Sequence, residues 1–261
     1  MATSTTEAVA GAAPEHGEKI IDPIHQFQIH NIIDLGPFSL TNSGLWAIIA
    51  VACVTLLFLL APRHLIPSRL QSVAESIYEF IENMTKEVLH ENARTYFPFV
   101  LTLFTFILFC NVLGLIPYSF TVTSHIIITV SLALLVFFTV IVYGFWKNGL
   151  HFFKLFVPSG IPVYILPFVV FIEVFSFFVR PVSHSVRLFA NMLAGHITLK
   201  VFGGFVTMLG ALGVAGWLGA VLPLGLTVAL TALELLVAFL QAYVFAILTC
   251  IYINDAIHPG H

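Results

Sequence analysis

Two stretches in the C-terminal half of the chain decide what it can fold into. Val163 to about Gly213 and Ala220 to Ile253 are apolar almost throughout. In lipid, backbone amides and carbonyls find no water, and a helix is the one structure that satisfies them all within a single segment. At about 1.5 Å per residue, Ala220 to Ile253 would reach about 50 Å, against a hydrocarbon layer of roughly 30 Å. Each run therefore either breaks or lies steeply tilted. Breaks would fall at Pro181 and Pro223. Polar residues recur along both runs instead of gathering at their ends, which favours tilt with a kink.

The rest of the chain belongs in the same solvent. Of 261 residues, 59% are hydrophobic and 9% charged. A soluble domain carries about 25% charged residues. Cys53, Cys110 and Cys250 lie in apolar runs and read as small core hydrophobes, with neither disulfide nor metal spacing. There is no Gly-rich phosphate loop, no nucleophile elbow and no nucleic-acid motif. The expectation is an all-α polytopic membrane protein with about five crossing helices and one in-plane amphipathic helix. The last two crossings form a long, strongly tilted hairpin.

Residues 1–43 read as an N-terminal tail followed by a surface segment. Met1 to Lys19 is small and polar, without the basic and apolar regions of a signal peptide. Residues 44–61 form the first span, closed by Pro62-Arg63-His64. Residues 68–92 differ: Glu75, Glu79, Glu82 and Lys86 alternate with Val73, Ile77, Phe80, Met84 and Val88 at helical spacing. That pattern suits a helix lying on the membrane surface or against a partner. Residues 97–146 hold the second and third spans, Gly149 to Pro162 a loop, and residues 163–253 the hairpin. Basic residues in short loops set the orientation. Arg63, Arg69, Lys86 and Arg94 follow span one, Lys147 and Lys154 follow span three, and the tail has only Lys19. The N-terminus is therefore expected outside and the C-terminus inside. No internal repeat is present, which disfavours an inverted-repeat transporter.

The hairpin carries the chemistry. Residues seven apart share nearly one helix face. Glu173, Arg180 and Arg187 are successive sevens, Asn191 lies one turn beyond, and Glu234 and Gln241 are also seven apart. An arginine cannot shed its charge. Placing it in hydrocarbon costs roughly 3 kcal/mol or more, so Arg187 is expected to be used. In an antiparallel hairpin, facing residues have a constant index sum. Arg187 with Gln241, and His196 with Glu234, both centre on Val214 or Ala215, inside the Gly-rich stretch Gly210 to Gly219. One register thus joins both pairs and leaves Glu173 near Asp255. His and Glu can gain and lose protons in a tuned environment. Arg187 cannot, and would instead hold a carboxylate charged and interrupt a proton wire. The competing reading is an internal salt-bridge network with Arg187 on Glu173 or Glu234. His184 lies near the stripe. His125, His151, His258 and His261 read as interfacial or solvated, and Lys200 as snorkelling.

The run Pro181-Val-Ser-His-Ser-Val-Arg-Leu-Phe-Ala-Asn-Met-Leu-Ala-Gly-His196 resembles the signature of subunit a of the F-type ATP synthases. Leu233-Glu234-Leu-Leu-Val-Ala-Phe-Leu-Gln241, Asn111-Val-Leu-Gly-Leu-Ile-Pro117 and the amphipathic helix are similar too. The likeness covers roughly residues 20–256. It implies a non-catalytic stator subunit beside a rotating ring of c subunits, held by the b subunits of a peripheral stalk. Two offset aqueous half-channels would carry protons to and from the ring. Arg187 matches the family's essential arginine, Asn191 and Gln241 polar residues near it, His196 and Glu234 the outer-channel pair, and Glu173 the inner-channel acid. The histidine-first order of the pair resembles mitochondrial members; some bacterial ones reverse it. No cofactor and no metal is implied. The implied location is a bacterial inner membrane, with a mitochondrial one as the alternative. An independent transporter or channel binding a solute at the polar stripe, or a scaffolding subunit with internal salt bridges, would share much of this composition.

Overall fold

A computed structural model of the chain describes residues 31–33, 40–60, 68–116, 119–157, 161–162 and 164–258. Most of the expected tail, the closing Pro62-Arg63-His64 and His261 lie outside the described residues.

The chain is a multi-pass membrane protein of the all-α class, helical apart from one short strand pair among the described residues. Its helices are α1 (Asn42–Leu60), α2 (Arg69–Leu89), α3 (Ala93–Gly114), α4 (Ile126–Asn148), α5 (Leu166–Gly210) and α6 (Val214–Ile257). Among the described residues, five helical stretches are long and apolar enough to cross a membrane; one of them, Arg69–Gly114, consists of α2 and α3 joined by a 3-10 turn at His90–Asn92, where His90 has φ 47°. Ahead of α1, a two-stranded ladder pairs β1 (Asn31–Ile33) antiparallel with β2 (Leu40–Thr41), Asn31 opposite Thr41. No period-two pattern in the sequence announces strands this short.

α2 begins where Ser68 accepts a hydrogen bond from the Gln71 amide at 3.3 Å, filling one of the helix's orphan donors. Ala74, Ile81, Met84 and Leu89 are buried on one face, and Lys86 meets Glu82 at 2.7 Å on the other. The buried face joins Val100, Phe104 and Ile107 of α3, Val136 and Val140 of α4, Leu188 of α5 and Phe245 and Ile253 of α6 in one core. α6 is central to that core and packs against α2, α3, α4 and α5. Ala238, Ala242 and Ala246, one turn apart and each 0% exposed, let those helices approach closely.

α5 and α6 run without interruption through Pro181 and Pro223, so the breaks do not occur. Their 45 and 44 residues make each about 65 Å long. The turn between them is Ala211–Gly213, just ahead of the position the index sums gave. Gly213 has φ 83°, where a side chain would be strained, and a Cβ on Gly216 would collide with the Leu209 carbonyl oxygen. The expected loop after α4 is instead a 3-10 helix over Gly149–Phe156. Its buried Phe152 occupies the space that a Cβ on Gly144 would fill.

Candidate functional site

Helical periodicity puts Arg187 and Asn191 together on an exposed face of α5. Among the described residues, the Arg187 guanidinium takes part in no ion pair and no hydrogen bond. It is therefore bonded to neither Glu173 nor Glu234, and the internal network expected under the competing reading is not centred on it. Arg187, His184 and the half-buried Gln241 line one small cleft between α5 and α6, closed by Val244, Phe245 and Leu248.

Two turns further along, α5 turns His196 inward and α6 turns Glu234 to meet it. His196 Nε2 is 3.7 Å from Glu234 Oε1, and the side chains are only 8% and 6% exposed. That distance is too long for a hydrogen bond. Both Glu234 oxygens are buried without a hydrogen-bond partner among the described residues. Gly195 makes room for this carboxylate: a Cβ there would sit 2.5 Å from Oε1. The two pairs joined by the index sums are thus adjacent in space.

On the other side of Arg187, the acid near the end of α6 pairs with an arginine of α5. Asp255 bonds Arg180, Nη1 to Oδ2 at 3.2 Å, and no bond links it to Glu173, which is half-buried. The long arginine side chain reaches the carboxylate from a position that backbone spacing alone does not place opposite it. The Arg180 guanidinium also lies 4.7 Å over the Tyr252 ring. His184 is buried, with its ring 4.7 Å from that of Phe245 and 5.2 Å from that of Tyr252. Its Nε2 has no partner among the described residues. It stands between the cleft of Arg187 and a second one lined by Arg180, Pro181, Phe177 and Tyr252.

The sequence reading passed over a third contributor, the segment joining α3 to α4. Ser119, Thr121, Thr123 and Ser124 are all buried there. Thr121 Oγ1 lies 2.8 Å from His196 Nε2. Thr123 donates to Asn111 Oδ1 at 2.8 Å, and Asn111 Nδ2 donates to the Ala238 carbonyl of α6 at 3.2 Å. The available signal was four hydroxyls crowded between two apolar spans. His125, expected to be interfacial or solvated, is half-buried and stacked on Phe120 at 4.9 Å, because this segment folds inward. His151 and His258 are exposed.

The family model described as ATP synthase A chain matches residues 44–254. The chain is 66% identical over 245 residues to the ATP synthase subunit a of Rhodopseudomonas palustris strain TIE-1, covering 92% of this chain and 99% of that one. It is 62% identical over 247 residues to the protein of the same name from Nitrobacter hamburgensis, covering 93% and 100%. The counterpart from Bradyrhizobium diazoefficiens is also 62% identical over 247 residues, covering 92% and 99%. Similarity this even, end to end, to proteins that all carry one name admits a single reading: the chain belongs to the ATP synthase subunit a family.

Proposed function

We propose that the chain is the proton-translocating, non-catalytic stator subunit of a bacterial F-type ATP synthase. It sits in the inner membrane with its N-terminus outside and its C-terminus inside. The observation that carries this is the isolation of Arg187. Its charge is permanent, it lies on an exposed face of an apolar hairpin, and among the described residues nothing neutralises it. A charge in that position calls for a counterion from outside the chain. A carboxylate on a ring of c subunits supplies one.

The hairpin lies tilted, because helices of about 65 Å exceed a hydrocarbon layer of roughly 30 Å. α2 lies in the plane of the inner surface. Protons arrive through an outer half-channel at His196 and Glu234 and pass to a ring carboxylate. That carboxylate, now neutral, moves into lipid. After nearly a full turn it meets the inner half-channel, releases its proton past Glu173 and His184, and is held as an anion by Arg187 with Asn191 and Gln241 beside it. Arg187 cannot relay a proton, so it keeps the two half-channels from joining without rotation. Each proton crossing contributes about 2.3 kcal/mol per 100 mV.

Purification from native membranes tests this. A c-ring and the b subunits of a peripheral stalk are expected with the chain, and Asn191→Cys, oxidised with a copper–phenanthroline catalyst alongside a cysteine placed on the ring, is expected to form a disulfide to it. A chain recovered alone, carrying a solute through the polar stripe, would overturn the proposal.

A further inference from the structure

His196 Nε2 faces two acceptors at once. The Thr121 hydroxyl is at bonding distance, 2.8 Å, and the Glu234 carboxylate lies beyond it at 3.7 Å. A hydroxyl has one proton to give and lone pairs to accept with. The Thr121 proton is directed at the Gly114 carbonyl, 3.4 Å away. In the tautomer that carries its proton on Nε2, His196 donates to the Thr121 oxygen and offers Glu234 that same N–H.

The hydroxyl and the carboxylate each sit where a glycine leaves room. A Cβ on Gly114 would stand 2.8 Å from Thr121 Cγ2 and 2.9 Å from Oγ1, and a Cβ on Gly195 would stand 2.5 Å from Glu234 Oε1. Thr121 itself is 1% exposed. Losing the hydroxyl removes a 2.8 Å contact that holds the buried imidazole short of the carboxylate. A directly bonded, protonated pair in a low-dielectric site holds its proton tightly. A proton station must release as readily as it binds.

We propose that Thr121 is a positioning residue. It accepts Nε2–H of His196 and holds the imidazole off Glu234, so that a proton reaching the pair is passed on and not trapped. This rests on the reading of His196 and Glu234 as part of the proton path. The charged or titratable groups that face His196 include Glu234 from α6 and Lys200, one turn further along α5. The segment between α3 and α4 presents it the Thr121 hydroxyl.

The test uses the whole ATP synthase in liposomes, with proton-driven ATP synthesis followed per assembled complex as the outer pH is varied. Thr121→Val keeps the shape and removes the hydroxyl. It is expected to lower the rate about 10-fold, the loss of one hydrogen bond to a chargeable group, and to displace the outer-pH profile. Thr121→Ser is expected to restore both. Should Thr121→Val not assemble, Thr121→Ala makes the same comparison. A hydroxyl-free variant with the wild-type rate and profile overturns the proposal, as does equal impairment of the valine and serine variants with unshifted profiles. His196→Ala and Glu234→Gln separate the two levels. If both synthesise ATP like the wild type, the proton path itself is misplaced. If both fail while Thr121→Val is normal, only the role of Thr121 falls.

Discussion

Arg180 and Asp255 form an ion pair across the α5/α6 hairpin, Nη1 to Oδ2 at 3.2 Å, while Arg187, seven residues further along α5, meets no carboxylate among the described residues. Two arginines of one heptad series thus have different surroundings. Arg180 is neutralised inside the chain and supported by the Tyr252 ring. Arg187 is exposed and unneutralised among the described residues.

That difference gives the first prediction. Arg187→Ala is expected to reduce proton-driven ATP synthesis to background with normal abundance of the complex. Arg187→Lys keeps a charge but loses the planar five-donor fork, and is expected to recover little. Arg180→Gln removes a partly exposed ion pair, for which about 1 kcal/mol of stability is the upper range, and should leave substantial synthesis. ATP synthesis by membrane vesicles, normalised to assembled complex, decides between them. Retained synthesis in Arg187→Ala would remove the proposed role.

Glu234→Gln keeps the shape of a buried side chain but cannot ionise. It is expected to slow proton flow through the membrane sector, as is His196→Ala. The double exchange His196→Glu with Glu234→His restores one acid and one imidazole across the same 3.7 Å gap. It should retain more activity than either single exchange, because residues that act as a pair are not additive. Equal loss in all three exchanges would argue against a shared station.

The contrast between these residues and Thr121 shows where sequence reasoning carries. His196, Glu234, Arg187 and Gln241 sit on two helices with a fixed period, so an index sum is enough to bring them together. The continuity of α5 and α6 was legible for the same reason, since polar residues spread along a run are incompatible with two separate buried halves. Thr121 and Thr123 lie in a connection without a period, and only tertiary packing decides which way a hydroxyl points. The partner of Asp255 was missed because an arginine side chain reaches past the residue opposite it. Phe152 was missed because nothing local shows that Gly144 leaves a hole for its ring.

Gly195 and Gly203 lie on the same helix, and their surroundings predict opposite outcomes. A Cβ on Gly195 would stand 2.5 Å from Glu234 Oε1, whereas one on Gly203 would meet nothing within 4 Å. Gly195→Ala is expected to displace the Glu234 carboxylate and slow proton-driven synthesis several-fold, with about 1–3 kcal/mol of overpacking. Gly203→Ala should be active and up to about 1 kcal/mol more stable, as alanine is the better helix former. Rates and melting temperatures of the two purified complexes are the measurement. A fully active Gly195→Ala would mean that the carboxylate does not need its present position.

Asn111, 0% exposed, joins three segments through one side chain: it donates to the Ala238 carbonyl of α6 at 3.2 Å and accepts from Thr123 at 2.8 Å. Asn111→Leu fills a similar volume but strands the buried Thr123 hydroxyl, and is expected to destabilise the complex by about 2 kcal/mol. Thr123→Val added to it removes the stranded group. If the cost is that of an unsatisfied polar atom, the double variant should melt at a higher temperature than Asn111→Leu alone. If the cost instead comes from losing the grip on α6, the second substitution should bring no recovery, because the bond to the Ala238 carbonyl is absent in both. Thermal unfolding of the detergent-solubilised complex, followed for the wild type, both single variants and the double, separates the two causes.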